Sequence, residues 1–240
     1  MSQAVKEPDA ATSGWSARLR ASFHHSAGHI VFGMEDGTVS IFGLVFGVAA
    51  SAPDAHAVLL AGATGAIAAA VSMMAGTYLD VESENDAQAA AIEERQRSLQ
   101  QDPDMALRDE RKRLTRAGFA SGEIESIVSI LSRHPDTAST LDSAFQLGIA
   151  PTSAEQPAVQ AAWMFFSDLF AAFVPVVPFA IFALGTARIV SLIVTTVLLV
   201  LLGVGRARLG HKSVVATTFE TIAIAAGAAL AGVLVSRLIA

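Results

Sequence analysis

The chain contains no cysteine among its 240 residues. Disulfides, redox thiols and thiolate metal sites are therefore excluded, and the redox state of its compartment leaves no trace. Charge is scarce as well. Asp, Glu, Lys and Arg make up 16% of the residues, where soluble domains carry about a quarter. With 52% hydrophobic residues and a mean hydropathy of +0.51, the composition points to a membrane protein. Its net charge of -6 argues against a nucleic-acid partner. Enzyme signals are missing too: there is no phosphate-binding loop, no nucleophile elbow and no histidine pair at metal-ligand spacing. His24 and His25 stand in a polar stretch, and the other histidines are scattered singly. Residues 1–28 lack the apolar core of a secretory signal and are expected to form a polar tail. No resident cofactor is expected.

What the chain does have is long apolar runs. A bilayer-spanning helix needs ~20 mostly apolar residues, and such runs occur at 29–51, 57–79, 160–184, 187–205 and 214–238. The fold expected is an all-α integral membrane protein with five transmembrane helices. The third run contains "VPVVPF", residues 174–179, whose two prolines would kink or interrupt a helix. Between spans two and three the charges crowd together, and residues 80–157 predict a small helical domain. There Ile124, Ile127, Val128 and Leu131 share one helical face. Pro103 should break the first long helix, and Gly148 followed by Pro151 should end a later one. The organisation is thus a tail at 1–28, spans one and two at 29–79, the helical domain at 80–157 and spans three to five at 158–240.

Basic residues set the expected orientation. Arg18 and Arg20 precede span one, and Arg206, Arg208 and Lys212 separate spans four and five, while the loop "SAPDAH" has no Lys or Arg. The positive-inside rule then puts the N-terminus and the helical domain in the cytoplasm. Arg188, on the outer side, is the one exception. A bacterial cytoplasmic membrane is the expected location.

Inside the spans, "GMEDGTVS" carries Glu35 and Asp36 in an otherwise apolar run; Asp168 and Glu220 are the other acids. Ionisable groups in spans are costly and generally face a cavity or pathway. At ~1.5 Å per residue, Asp36, Asp168 and Glu220 fall at a similar depth, roughly 10 Å from the cytoplasmic end. Met73 and Met74, late in span two, reach a similar level. Carboxylates with a thioether suit Mn²⁺ or Fe²⁺ over Mg²⁺ or Ca²⁺. Metal would there compete with protons for the same oxygens, a physical basis for proton-coupled exchange. Plain packing accounts equally well for the two methionines, and Asp168 and Glu220 could reach interfacial water. Glu35 diverges from Asp36 by ~100° around the helix and is expected to point elsewhere unless it supplies charge. Gly33, Gly37, Gly43 and Gly47 give small-xxx-small spacings that suit helix packing or dimerisation.

Taken together, "DGTVSIFGLVFGVAAS" at 36–51, "AAAVSMMAGTYLDVESE" at 68–84, "PD" at 103–104, "FQLGI" at 145–149 and "VPVVPF" resemble the vacuolar iron transporter family in order and spacing. The resemblance covers roughly residues 28–238. It implies a homodimer with five spans per chain, a cytoplasmic three-helix domain, and export of Fe²⁺ or Mn²⁺ from the cytosol in exchange for protons along a dimer-interface path. It places the family's transport-site aspartate on Asp36 and its second-span methionine on Met73, both present. A second-span glutamate of the eukaryotic members falls on Gly65. The family's cytoplasmic metal-binding glutamates fall on Arg95, Ser98, Ala106 and Asp109, its methionine pair on Asp142 and Ser143, and a further glutamate on Gln146. A divergent member without the multinuclear cytoplasmic site is therefore expected. Glu82, Asp86, Glu93 and Glu94 remain nearby as a charged face, and Glu84 matches a family glutamate that would guide ions toward the membrane. The alternative expectation is a non-transporting membrane scaffold that kept the fold and lost metal handling.

Overall fold

A computed structural model describes residues 20, 22–23, 26–102, 104–134 and 156–239. All regular structure among them is helical: α1 (Ala27–Ser51), α2 (Ala55–Gln101), α3 (Asp104–Ala117), α4 (Ser121–Leu131), α5 (Pro157–Val176), the single turn α6 (Pro178–Ile181), α7 (Leu184–Leu209) and α8 (Val214–Ile239). Five of these, α1, α2, α5, α7 and α8, are long and apolar enough to cross a membrane. Gly148, Pro151, Asp142, Ser143 and Gln146 lie outside the described residues.

Two boundaries differ from the sequence expectation, each for a local reason. The apolar run of span two stops at Leu79, but the helix continues to Gln101. Nothing from Asp80 onward breaks it: the segment is rich in Ala, Glu, Gln and Arg, all good helix formers. It carries i,i+4 pairs such as Arg97 with Glu93 at 2.5 Å. Its end at Gln101, just ahead of Pro103, is where a proline is expected to stop a helix. Span three, expected to reach 184, ends at Val176 because Pro175 and Pro178 disturb the backbone ladder. The Ser191 hydroxyl on α7 donates to the Pro175 carbonyl at 2.7 Å, supplying the kind of side-chain partner that backbone needs in hydrocarbon.

The chain divides into two compact units, residues 1–78 with 157–240, and residues 79–156. In the first, α1 is the central helix and packs chiefly on α5 and α8. Lipid is as apolar as leucine, so small residues and close backbone approach hold such helices together. Gly33 and Gly37 press on α5, and a Cβ added at Gly37 would lie 2.5 Å from the Asp168 carbonyl oxygen. Gly43 and Gly47 press on α8, where a Cβ at Gly47 would lie 2.9 Å from the Gly232 backbone. All four glycines thus serve helix contacts within one chain. Glu35 meets Thr221, Gly43 meets Ala228, Gly47 meets Gly232 and the Ser51 hydroxyl meets that of Ser236. That progression shows α1 and α8 running in parallel. α1 and α5 are parallel by the same reasoning, from Gly33 on Met164 to Gly37 on Asp168.

Above these contacts Ile41, Val45 and Ala49 form an apolar cluster with Val58, Ala66, Ala172, Val176, Phe179 and Ala187. The Arg188 guanidinium donates to the Ala49 carbonyl, near the C-terminus of α1, where a cation is favoured by the helix dipole. Its presence at this end of the bundle therefore has a structural cause. Ser22 and Phe23, expected in a polar tail, contact Trp163: its indole N–H donates to the Ser22 hydroxyl at 2.9 Å, and the two rings meet edge to face. Phe166, Phe170, Leu201, Phe219 and Leu238 are exposed, as lipid-facing side chains should be.

In the second unit, α3 and α4 pack together. Ile124 and Val128 are buried, with Ile127 and Leu131 partly so, matching the apolar face read from the spacing. Arg111 donates to both Glu125 oxygens, at 3.1 and 3.0 Å, and holds that carboxyl below the usual carboxylate range.

Gly37→Ala should cost about 1–3 kcal/mol, because its new methyl meets backbone that cannot yield without moving α5. Thermal unfolding in detergent should show a lower melting temperature than wild type. Gly122→Ala, where nothing lies within 4 Å, should leave the melting temperature nearly unchanged.

Candidate functional site

Glu35 and Asp36 are consecutive on α1, yet both line one open groove, together with Phe32, Val39, Arg206, Thr221 and Ile224. Its volume is about 140 Å³. Glu35 and Asp36 share the groove although neighbouring helical positions diverge by ~100°, because it is wide enough to span that angular gap. α1 supplies the two acids, the last turns of α7 supply Arg206, and the first turns of α8 supply Thr221 and Ile224.

The two acids differ in environment. The Thr221 hydroxyl donates to Glu35 Oε1 at 3.1 Å. Arg206 Nη1 lies 3.6 Å from Glu35 Oε2, and its Nη2 lies 3.6 Å from Glu220 Oε2. Glu220 is 54% exposed against 16% for Glu35, so Arg206 joins an inner acid to one on the rim. Asp36 is half-buried and has no hydrogen-bond or ion-pair partner among the described residues. Its carboxylate is free to accept a cation.

Asp168 lies behind this wall. It is 0% exposed, and neither carboxyl oxygen has a hydrogen-bond partner among the described residues. A Cβ on Gly37, the residue after Asp36, would lie 2.6 Å from its Oδ1, so the carboxyl is pressed into the α1–α5 contact. Withdrawing an ionised carboxylate from water with no partner costs several kcal/mol. The side chain is comfortable there only as a neutral acid or with a cation brought against it. Met164, one helical turn earlier on α5, is also buried, and its sulfur would lie 2.7 Å from a Cβ on Gly33.

The other expected residues lie elsewhere. Met73 and Met74 are half-buried on α2 and are not among the groove's lining residues. Gly65 faces α1, where a Cβ would meet the tip of the Leu44 side chain, Cδ2, at 2.4 Å. Glu84, in the second unit, is exposed and accepts from Gln88 at 3.4 Å. Asp109 pairs with Lys112 at 3.3 Å, and Glu93 with Arg97. Among the described residues no three acids or histidines converge as a metal-binding group.

Depth along the spans thus put four acids at one level, but rotation about the helix axes sorts them into two groups. Asp36 and Asp168 flank Gly37, while Glu35 and Glu220 share Arg206. Arg206, Thr221 and Met164 went unrecognised in the sequence reading. Signals for them existed: Thr221 follows Glu220, Met164 precedes Asp168 by four residues, and Arg206 ends span four at the level where Glu220 enters.

Asp168→Asn, which keeps the shape and removes the ionisable group, should fold with a melting temperature no lower than wild type at neutral pH. A drop equivalent to about 3 kcal/mol or more would instead mark a buried charge pair that had lost its partner.

Comparison with known proteins converges on one group. The sequence profile of the VIT family matches residues 27–237. Vacuolar iron transporter 1 of Arabidopsis thaliana is 24% identical over 221 residues, 90% of this chain and 88% of that protein. Vacuolar iron transporter 1 of Eucalyptus grandis is 25% identical over 183 residues, 75% of this chain and 74% of its own. Vacuolar iron transporter homolog 4 of Oryza sativa subsp. japonica is 44% identical over a shorter stretch of 66 residues, 27% of this chain and 31% of its own.

Proposed function

The chain belongs to the VIT family, and from that premise we propose that it is an integral membrane transporter moving Fe²⁺ or Mn²⁺ out of the cytosol in exchange for protons. One observation carries the reading: the unpaired Asp36 carboxylate in an open groove, with the buried, partnerless Asp168 set against the adjoining residue. An oxygen ligand accessible from a groove can take a hard or borderline divalent ion. A second acid behind it can carry a proton that leaves when positive charge arrives, which links the two fluxes.

In this proposal Asp36 is the principal ligand and Asp168 the proton carrier. Met73 supplies the soft donor that favours Fe²⁺ and Mn²⁺ over Mg²⁺. Since Met73 does not line the same groove, it completes the site from the second copy of a homodimer. Glu35 and Glu220 supply negative potential at the entrance, and Met74 and Glu84 are further candidates for metal or proton coupling. The membrane groove works without the family's cytoplasmic cluster, whose positions fall on Arg95, Ser98 and Ala106. In this reading the groove mouth opens to the cytoplasm, in line with the positive-inside expectation for the basic residues at 206–212.

The test is Fe²⁺ and Mn²⁺ uptake into proteoliposomes under an imposed pH gradient. Flux in the wild type should follow the gradient, fall by at least tenfold in Asp36→Ala, and lose its gradient dependence in Asp168→Asn. Folded wild-type protein that moves neither ion in either gradient direction would overturn the transporter reading in favour of a membrane scaffold.

A further inference from the structure

On the groove wall Glu35 and Asp36 carry carboxylates and Thr221 a neutral hydroxyl. Arg206 reaches in from the end of α7 and is the only cation among the described groove-lining residues. Its two terminal nitrogens face Glu35 on α1 and Glu220 on α8, each at 3.6 Å. A well-formed charged hydrogen bond would be shorter, about 2.7–2.9 Å, so Arg206 holds both carboxylates loosely. It is also one-third exposed, and partly solvated pairs of this kind are weak and screened by salt. Thr221 donates to the other oxygen of Glu35 and keeps that carboxylate in position whether or not Arg206 is present.

We propose that Arg206 is a tethered competitor of the transported cation: its guanidinium occupies the groove and must swing away from Glu35 before a divalent ion engages Glu35 and Asp36 together. The inference rests on the transport reading and adds a specificity residue to it. A fixed positive charge at the mouth repels weakly bound cations. A divalent ion with two carboxylate ligands to gain displaces the guanidinium. Arg206 then has Glu220 on the rim as its resting partner, so the displaced charge is not left alone. The device sets an affinity threshold at the entrance, and it acts on binding before it acts on turnover.

The experiment is a Mn²⁺ titration of the full-length protein in detergent, following the electron paramagnetic resonance signal of free Mn²⁺, with uptake kinetics measured in parallel. Arg206→Gln should bind Mn²⁺ about fivefold more tightly than wild type, the worth of one partly exposed ion pair. Its KM for uptake should fall by a similar factor while kcat changes less. Arg206→Lys, which restores a tethered charge, should return affinity toward wild type. High salt should narrow the difference between wild type and Arg206→Gln. If Arg206→Gln does not fold, Arg206→Gln/Glu220→Gln, which removes one charge of each sign, is compared with Glu220→Gln alone and should bind more tightly than it. Unchanged or weaker Mn²⁺ binding without the guanidinium would overturn the proposal, even if uptake remains gradient-driven. Tighter binding supports it even if no flux is seen, so its failure and that of the transport reading are separately visible.

Discussion

The rest of the bundle depends on how closely α1 approaches its two parallel neighbours. In hydrocarbon there is no water to expel, so helices associate through contact and through satisfied polar groups. α1 meets that requirement with glycine: Gly33 and Gly37 admit α5, and Gly43 and Gly47 admit α8. The same contacts set the register. Because Gly37 lies against Asp168 and Glu35 lies beside Thr221, a shift of one helical turn between these helices would separate both of those pairs. The packing glycines and the functional acids are interleaved on one helix, so stability and site geometry are decided by the same few residues.

That arrangement carries an electrostatic cost, which is met in two ways. Glu35 is satisfied locally, by a hydroxyl and a guanidinium. Asp168 is satisfied by nothing, and Asp36 is left open to the groove. Natural proteins seldom leave buried polar groups without a partner, and an exception calls for a reason. In the transport reading proposed above, a cation path supplies one: the unsatisfied acids are those next to Gly37. Arg206 is engaged with the other two acids, Glu35 and Glu220.

Acids of the second unit, Glu93 and Asp109 among them, are engaged by basic residues three or four positions away. Such pairs stabilise exposed helices and leave their carboxylates less available to a metal. At Gly65, where the family resemblance puts a second-span acid, an added Cβ would first meet the tip of the Leu44 side chain from α1, which a rotamer change relieves. The transport reading proposed above therefore rests on the first span and what packs against it.

The five spans, the break at Pro175 and Pro178 and the apolar face of α4 were all legible in the sequence, because each depends on composition or local backbone chemistry. The continuation of α2 to Gln101 was legible in principle, since only Pro103 interrupts its good helix formers, but hydropathy alone hid it. What the sequence could not determine was rotation. Depth is one-dimensional, and four acids at one level can face four directions. Only tertiary packing decided that Asp168 meets Gly37, that Glu35 shares Arg206 with Glu220, and that Met73 stays off the groove they line. The azimuth of α1 against α5 and α8 is set by contacts between residues more than a hundred positions apart, and no local spacing encodes it.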